Sequence, residues 1–352
     1  MLITFRGDLM SLNWRKQKIL KTIISDYIKR AEPVGSRTLT KRYEFDLSPA
    51  TIRNEMADLE DMGFLEQPHT SAGRIPTERG YRFFVDELIT RCLSVPQQEL
   101  LLKKLTKFKA LEINEIVQVT ARALAEMTDY TSLVLGPQTS KSAFQEIQVF
   151  PIDQQRVLMV LTTDTGIIES KPVPVSGNLS KQELSNIVQH LNKRLKGLTI
   201  DDITPSLLKE LRTDLIKEVD LVEKAMHILA DSFRHSSANV ALGGTKNILN
   251  QPEFNDLKKV KELLSFFENE EVLAELLSES EGIVVRIGKE NPRDEVKDCS
   301  LVTASYELNG RPLGTIGVLG PTRMDYSRVI AIVAQIANEL TMALDKKKIT
   351  EE

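Results

Sequence analysis

With 352 residues, 41% apolar and 27% charged, the chain is long enough for two or three ordinary cores and is not a single small domain. Cys92 and Cys299 stand far apart with no CxxC pairing, which excludes a disulfide framework and a cysteine zinc site, and no run of about 18 uncharged apolar residues offers a membrane span. The net charge of −4 would argue against nucleic acid if charge were uniform, yet from Ser11 to Arg42 nine Lys and Arg oppose only Asp26 and Glu32, and salt screening beyond about 10 Å makes the local patch decisive.

Met1 to Met10 carries Arg6 and Asp8 where a signal peptide would be apolar, so the expected compartment is the cytoplasm and no membrane partner is expected. Leu20, Ile23, Ile24, Tyr27 and Ile28 recur at helical spacing between basic residues, which predicts an amphipathic helix over Asn13 to Arg30 with a cationic outer face. Pro33 and Gly35 end it. Ser36 is the expected cap of a short second helix, Arg37 to Tyr43, with Leu39 turned inward. A third helix is marked by Ser48 as cap, Pro49 at the first helical position and Gly63 as stop.

Ile52, Met56 and Leu59 form the buried stripe of that third helix, so Ala50, Thr51 and Asn54 fall on the opposite side with Arg53 on the flank. Those residue types suit a major groove: Asn pairs with adenine, Arg with guanine, Thr meets a thymine methyl, and Ala permits close approach. Asp58, Glu60 and Asp61 would repel phosphates if the helix lay flat in the groove, so it is expected to enter by its N-terminus, where its dipole adds to the attraction. The bland alternative for this turn is a solvated helix start with no ligand; the adjoining basic helix and the following loop weigh against it.

After Gly63, two short extended segments flank the turn-rich Pro68 to Gly73 and describe a hairpin, or wing. His69, Thr70, Ser71 and Arg74 would reach phosphate or minor groove, although His69 serves equally well as a local turn residue. Thr77 then caps a helix through Tyr81, Phe83, Phe84, Val85 and Leu88.

The strings Val34 to Leu39, Ser48 to Glu60 and Pro68 to Arg74 resemble the bacterial heat-inducible transcription repressor family HrcA. Pro76-Thr77 with Gly80 to Arg82, Leu242 to Thr245 with Asn250 to Phe254, and Gly314 to Pro321 extend the resemblance over nearly the whole chain. It implies an α+β protein with three domains: an N-terminal winged helix-turn-helix, a GAF-like domain, and a mostly helical dimerisation domain inserted into the latter. It further implies a homodimer on double-stranded DNA carrying an inverted repeat upstream of chaperonin and Hsp70-type genes, with the chaperonin GroEL holding the repressor active. The implied DNA contacts are Ser36, Arg37 and Thr38 in the second helix, Ser48, Ala50, Thr51, Arg53 and Asn54 in the third, and His69, Thr70, Ser71 and Arg74 in the wing. Residues 1–10 lie outside the motif, which leaves Met10 as an alternative start.

The remaining segments read as a helix over Ser94 to Thr128, strands at Thr131 to Leu135, Phe144 to Phe150, Arg156 to Thr162 and Gly166 to Val175, and a helix over Ser180 to Leu195. Strands return at Gly282 to Ile287, Leu301 to Leu308 and Pro312 to Leu319 before a helix on Val329, Val333, Ile336 and Leu340. The expected division is 1–90 for the winged helix, 91–195 with 281–352 for the interrupted GAF-like domain, and 196–280 for the insertion. Helices there centre on Leu207 to Leu215, Val222 to Leu229 and Val260 to Phe267, and so small a core gains from partner contacts.

No catalytic constellation, cofactor or metal is expected. His227 and His235 sit eight apart with no completing ligand, and His190 stands alone. Gly243-Gly244 lacks a phosphate-loop pattern and reads as a turn, while Gly314, Gly317 and Gly320 read as a bulge or close packing in a strand. Glu270-Glu271 reads as helix surface. A GAF-like sheet permits a small-molecule sensor, but its strands show no polar constellation to bind one.

Overall fold

A computed structural model describes residues 12–91 (except 44, 46 and 71), 113–137, 142–174 (except 154 and 165–167), 181–199, 202, 240–278 and 282–351 (except 309). Helix α1 (Trp14–Arg30) is capped by Asn13, whose side chain accepts the Lys16 N–H at 2.9 Å, and it ends where Ala31 turns left-handed. The second helix starts one residue earlier than the sequence predicts. Gly35 is the cap, its carbonyl accepting the Thr38 and Leu39 N–H groups, and Ser36 is already the first residue of α2 (Ser36–Arg42). In α3 (Pro49–Asp61) the expected signals hold: Ser48 Oγ accepts the Thr51 N–H at 3.1 Å, Pro49 opens the helix, and Gly63 follows with φ 77°. Ile52, Met56 and Leu59 are buried with Ile19, Leu20, Ile23, Ile24 and Leu39, and truncating a residue such as Leu59 to Ala should cost about 2–5 kcal/mol.

The hairpin forms from β1 (Leu65–Glu66) and β2 (Ile75–Pro76), paired antiparallel. Val34 adds a third short rung by exchanging two 2.9 Å hydrogen bonds with Arg74. Gly73 is required there, because a Cβ at this position would sit 2.5 Å from the Val34 backbone. Helix α4 (Glu78–Arg91) then leads away, with the Thr77 hydroxyl accepting the Gly80 N–H at 3.2 Å and donating to the Gly63 carbonyl at 2.6 Å.

The central body is a five-stranded antiparallel sheet in the order β7-β3-β10-β9-β8. Its strands are β3 (Thr131–Leu135), β7 (Val240–Gly243), β8 (Ile283–Ile287), β9 (Cys299–Leu308) and β10 (Arg311–Pro321), with a register shift at Pro312/Gly314. Helices α5 (Ile113–Thr128) and α9 (Tyr326–Glu351) cover one face; α7 (Leu257–Phe267) and α8 (Glu270–Ser278) cover the other. The stretch Tyr326–Asp345 is long and apolar enough to cross a membrane, yet Val329, Ile330, Val333, Ile336 and Leu340 are buried, which is the pattern of a core helix.

Strands β4 (Phe144–Pro151), β5 (Arg156–Thr163) and β6 (Ile168–Pro174) form a separate three-stranded sheet, with α6 (Lys181–Leu195) against β4. This redraws the expected division. The sequence reading joins these strands to the central domain and places the excursion at 196–280, whereas strand pairing sets β4 to β6 apart and puts β7 on the central sheet, with α7 and α8 packed against it through apolar side chains. Strand β3 is already paired on both sides, with β7 and β10, so β4 cannot follow it as a neighbouring strand in that sheet. Gly243 ends β7 and Gly244 (φ 63°) turns into a short 3-10 helix, as the turn reading of this pair expects. The segments Leu207 to Leu215 and Val222 to Leu229, residues 94–112, and Ser71, Cys92, His227 and His235 lie outside the described residues.

Candidate nucleic-acid interface

The first turn of α3 stands on a scaffold of α1, α2 and the wing. Ala50, Arg53 and Asn54 are exposed, and the turn contains no acidic residue. Thr51 is half-buried. Its hydroxyl lies 3.0 Å from Ser48 Oγ, so these two oxygens serve the helix start first. Arg37 of α2 is exposed, while Ser36 and Thr38 are half-buried beside it.

The acids of α3 begin with Glu55 and most are matched by cations from the scaffold. Lys16 Nζ lies 2.8 Å from both Glu55 and Asp58, Arg15 reaches Glu55 at 3.5 Å, and Arg74 reaches Glu60 at 2.7 Å. Hydrogen bonds to Asp58 and then Glu55 raise the Lys16 pKa above its ordinary value. Elsewhere on the basic stretch, Lys21 pairs with Glu87, and buried Asp26 accepts from Tyr43 Oη at 2.8 Å, Arg30 at 3.2 Å and Arg42 at 3.4 Å. Burial, then the bond to Asp26, raises the Tyr43 pKa. Much of the cationic excess is therefore spent holding the three helices together. Among the described residues, Lys18, Lys29, Arg37, Lys41 and Arg53 pair with no carboxylate, and Lys18 lies 5.0 Å from the centroid of the Phe45 ring.

The wing is ordered from inside. Gln67 Nε2 donates to the carbonyls of Thr70 and Ala72, each at 3.0 Å, and leaves Pro68, His69 and Thr70 exposed at the tip. Arg74 turns the other way, with a side chain only 19% exposed on Glu60, so of the wing residues singled out it is the one placed to brace α3. Sequence reasoning missed Gln67, Lys16 and Asp26. A Gln three and five residues before the carbonyls it reaches is a weak signal, and the partners of Lys16 and Asp26 are visible only once α1 is laid against α2 and α3.

This scaffold continues into a chain whose relatives are repressors. The profile described as HrcA protein C terminal domain matches residues 114–330, and the chain is 42% identical over 341 residues to the heat-inducible transcription repressor HrcA of Pelotomaculum thermopropionicum, spanning 96% of this chain and 98% of that protein. The chain belongs to the HrcA family. The HrcA repressor of Desulforamulus reducens matches with the same identity and the same coverage. A crystal structure of a hypothetical protein at 2.2 Å resolution aligns over 96% of this chain and 99% of its own, with a TM-score of 0.63 at 24% identity, a likeness of fold.

Membership in the HrcA family makes the chain a negative regulator of heat-shock transcription, a regulatory role exercised on DNA. The α+β architecture with an N-terminal winged helix-turn-helix agrees with that role.

Proposed function

We propose that the chain represses as a cytoplasmic, non-enzymatic homodimer on an inverted repeat upstream of chaperonin and Hsp70-type genes, each winged-helix unit reading one half. The observation that carries this reading is the exposed start of α3, free of acidic residues through Asn54, on which Arg53 pairs with no carboxylate among the described residues. Ala50, Thr51, Arg53 and Asn54 meet base edges. Ser48 holds the helix start that presents them, and Ser36, Arg37 and Thr38 contact the phosphate rail. His69 and Thr70 contact the flanking backbone from the wing tip, with Arg74 bracing the wing against α3; Ser71, assigned to DNA by its place in the sequence, joins them in this role. Entry by the N-terminus keeps the acids of the later turns away from phosphate. Two-fold symmetry would set the reading turns whole DNA turns apart, about 34 Å or a multiple.

The excursion between β3 and β7 is assigned to dimerisation and the five-stranded body to the GAF-like domain. For regulation, the family resemblance supports a marginally stable repressor that loses its active dimer on heating and is restored by the chaperonin GroEL; activity indifferent to both would remove that part. Footprinting of the purified protein tests the central reading. Protection of an inverted repeat by wild type, lost in Arg53→Ala with Asn54→Ala, is expected; equal protection by both proteins would overturn it.

A further inference from the structure

The winged-helix unit does not hang from the body on a tether. Its buried residues, from Ile19 through Leu59 to Val85, belong to one continuous apolar cluster with Ile287, Tyr306, Tyr326 and Ile330 of the body. At the centre of the junction the ring of Tyr81 in α4 meets that of Tyr326 at the start of α9, 5.8 Å between centroids. The Tyr326 hydroxyl is held at 2.6 Å from both the Thr322 carbonyl and Ser300 Oγ.

An arginine crosses the junction in each direction. Arg82 of α4 donates to the Val285 carbonyl of β8 at 2.7 Å and to both carboxylate oxygens of Glu290, while also pairing with Asp86. Glu290 is fixed in turn by accepting the Ile287 N–H at 2.8 Å. Beside it Glu78 accepts the Lys289 N–H at 3.3 Å, over a Gly288 (φ 55°) whose Cβ would meet the Glu78 carboxylate at 2.1 Å. From the body, Arg323 donates to both oxygens of Glu253, to Gln251 Oε1 at 3.2 Å and to the Ile28 carbonyl at 3.4 Å. Ile28 lies in the last turn of α1, where backbone carbonyls lack helical partners and a cation is favoured. Both guanidiniums are sheltered, with side chains 18% and 14% exposed, and bidentate arginine pairs constrain direction as well as distance.

We infer that Arg82 and Arg323 are positioning residues for DNA recognition: together they fix the direction in which α3 points from the body, and so the half-site spacing a dimer accepts. This rests on the reading of the chain as a dimer on an inverted repeat. Neither arginine belongs to the proposed DNA face, so the two act only when a pair of winged-helix units must reach one duplex together. A loosened unit still finds a single half-site. It loses the effective concentration that rigid mounting gives the second one.

The test uses the full chain with Arg82→Ala, Arg323→Ala and the double variant; Lys258→Ala, which removes an exposed pair with Glu262 on α7, is the control. Each is titrated with a duplex bearing the inverted repeat that wild type footprints, with the same repeat lengthened by one to five base pairs at its centre, and with one half-site alone. The double variant is expected to bind the half-site within about threefold of wild type, to bind the full repeat at least about tenfold more weakly, and to lose its preference for the natural spacing. Full-repeat affinity and spacing preference equal to wild type would overturn the inference, as would a half-site loss in step with the full-site loss. Thermal melting without DNA gives an independent readout: one transition in wild type and the control, two in the double variant. If wild type protects no repeat, the DNA reading fails by itself, and a double variant that still melts in a single transition then shows that the two arginines do not fix the winged-helix unit to the body.

Discussion

Helix α1 and the first turn of α3 lie in the same small domain and use charge in opposite ways. Helix α1 carries six cations, of which Arg15 and Lys16 are held by Glu55 and Asp58, Lys21 by Glu87 and Arg30 by Asp26, while exposed Lys18 and Lys29 have no carboxylate partner among the described residues. The first turn of α3 carries a single cation, Arg53, which has no carboxylate partner among the described residues. A count of basic residues thus measures potential, while pairing decides what remains for phosphate. Most of the α1 charge goes to tying three short helices together, and the one cation at the start of α3 is left free among the described residues.

The sharpest way to break this comparison is to remove the reading turn. Arg53→Ala with Asn54→Ala should lower discrimination between the operator and a duplex with altered half-sites by at least about tenfold, since each good base contact contributes about 1–3 kcal/mol. Competition gel shifts measure it, and retained discrimination would move the reading surface elsewhere. Next in size, Arg37→Ala should weaken operator and unrelated duplex alike, and should reduce the slope of log affinity against log salt by about one phosphate's share. A loss confined to the operator would make Arg37 a base reader.

Arg74→Ala separates bracing from contact. Its guanidinium is turned onto Glu60 and its Nε is buried without a partner among the described residues. The variant should lower the melting temperature by a few degrees, in the range expected of about 1 kcal/mol in a protein of several domains, and leave the salt slope of DNA binding unchanged. A slope reduced as in Arg37→Ala would return Arg74 to the phosphate-binding set.

How much of this was legible in the sequence depends on the range of each interaction. The caps at Ser48 and Thr77, Pro49, the stop at Gly63 and the stripe Ile52, Met56, Leu59 are local, and the structure shows each of them where the residues put it. Ser36 slipped by one position because the Gly35 carbonyl starts the helical bonding, which no side-chain pattern announces. Most strand positions were readable from alternation and turns, but β7 (Val240–Gly243) was not, since it falls in the segment read as a mostly helical insertion. Strand partners were not readable, since pairing of β3 with β7 joins residues more than a hundred positions apart and alternation is silent about which edge a strand will join. In the site, exposure of Ala50, Arg53 and Asn54 follows from helical geometry, whereas the inward turn of Arg74 and the capture of Lys16 depend on tertiary neighbours.

The smallest expected effect tests the other side of the comparison. If the cations of α1 are structural, Lys16→Met should change operator affinity by less than about threefold while lowering stability by about 0–1 kcal/mol, the range of partly exposed ion pairs. The pH dependence has a definite sign. The folded-state pKa of Lys16 is raised by Asp58 and Glu55, so its stabilisation is complete below the unfolded value near 10.5 and is lost as pH rises through the folded value. Wild type and Lys16→Met should therefore differ in melting temperature at pH 8 and converge in strongly alkaline buffer. A variant that binds DNA an order of magnitude more weakly at unchanged stability would show that Lys16 serves phosphate after all, and the division between tying charges and reading charges would have to be redrawn around it.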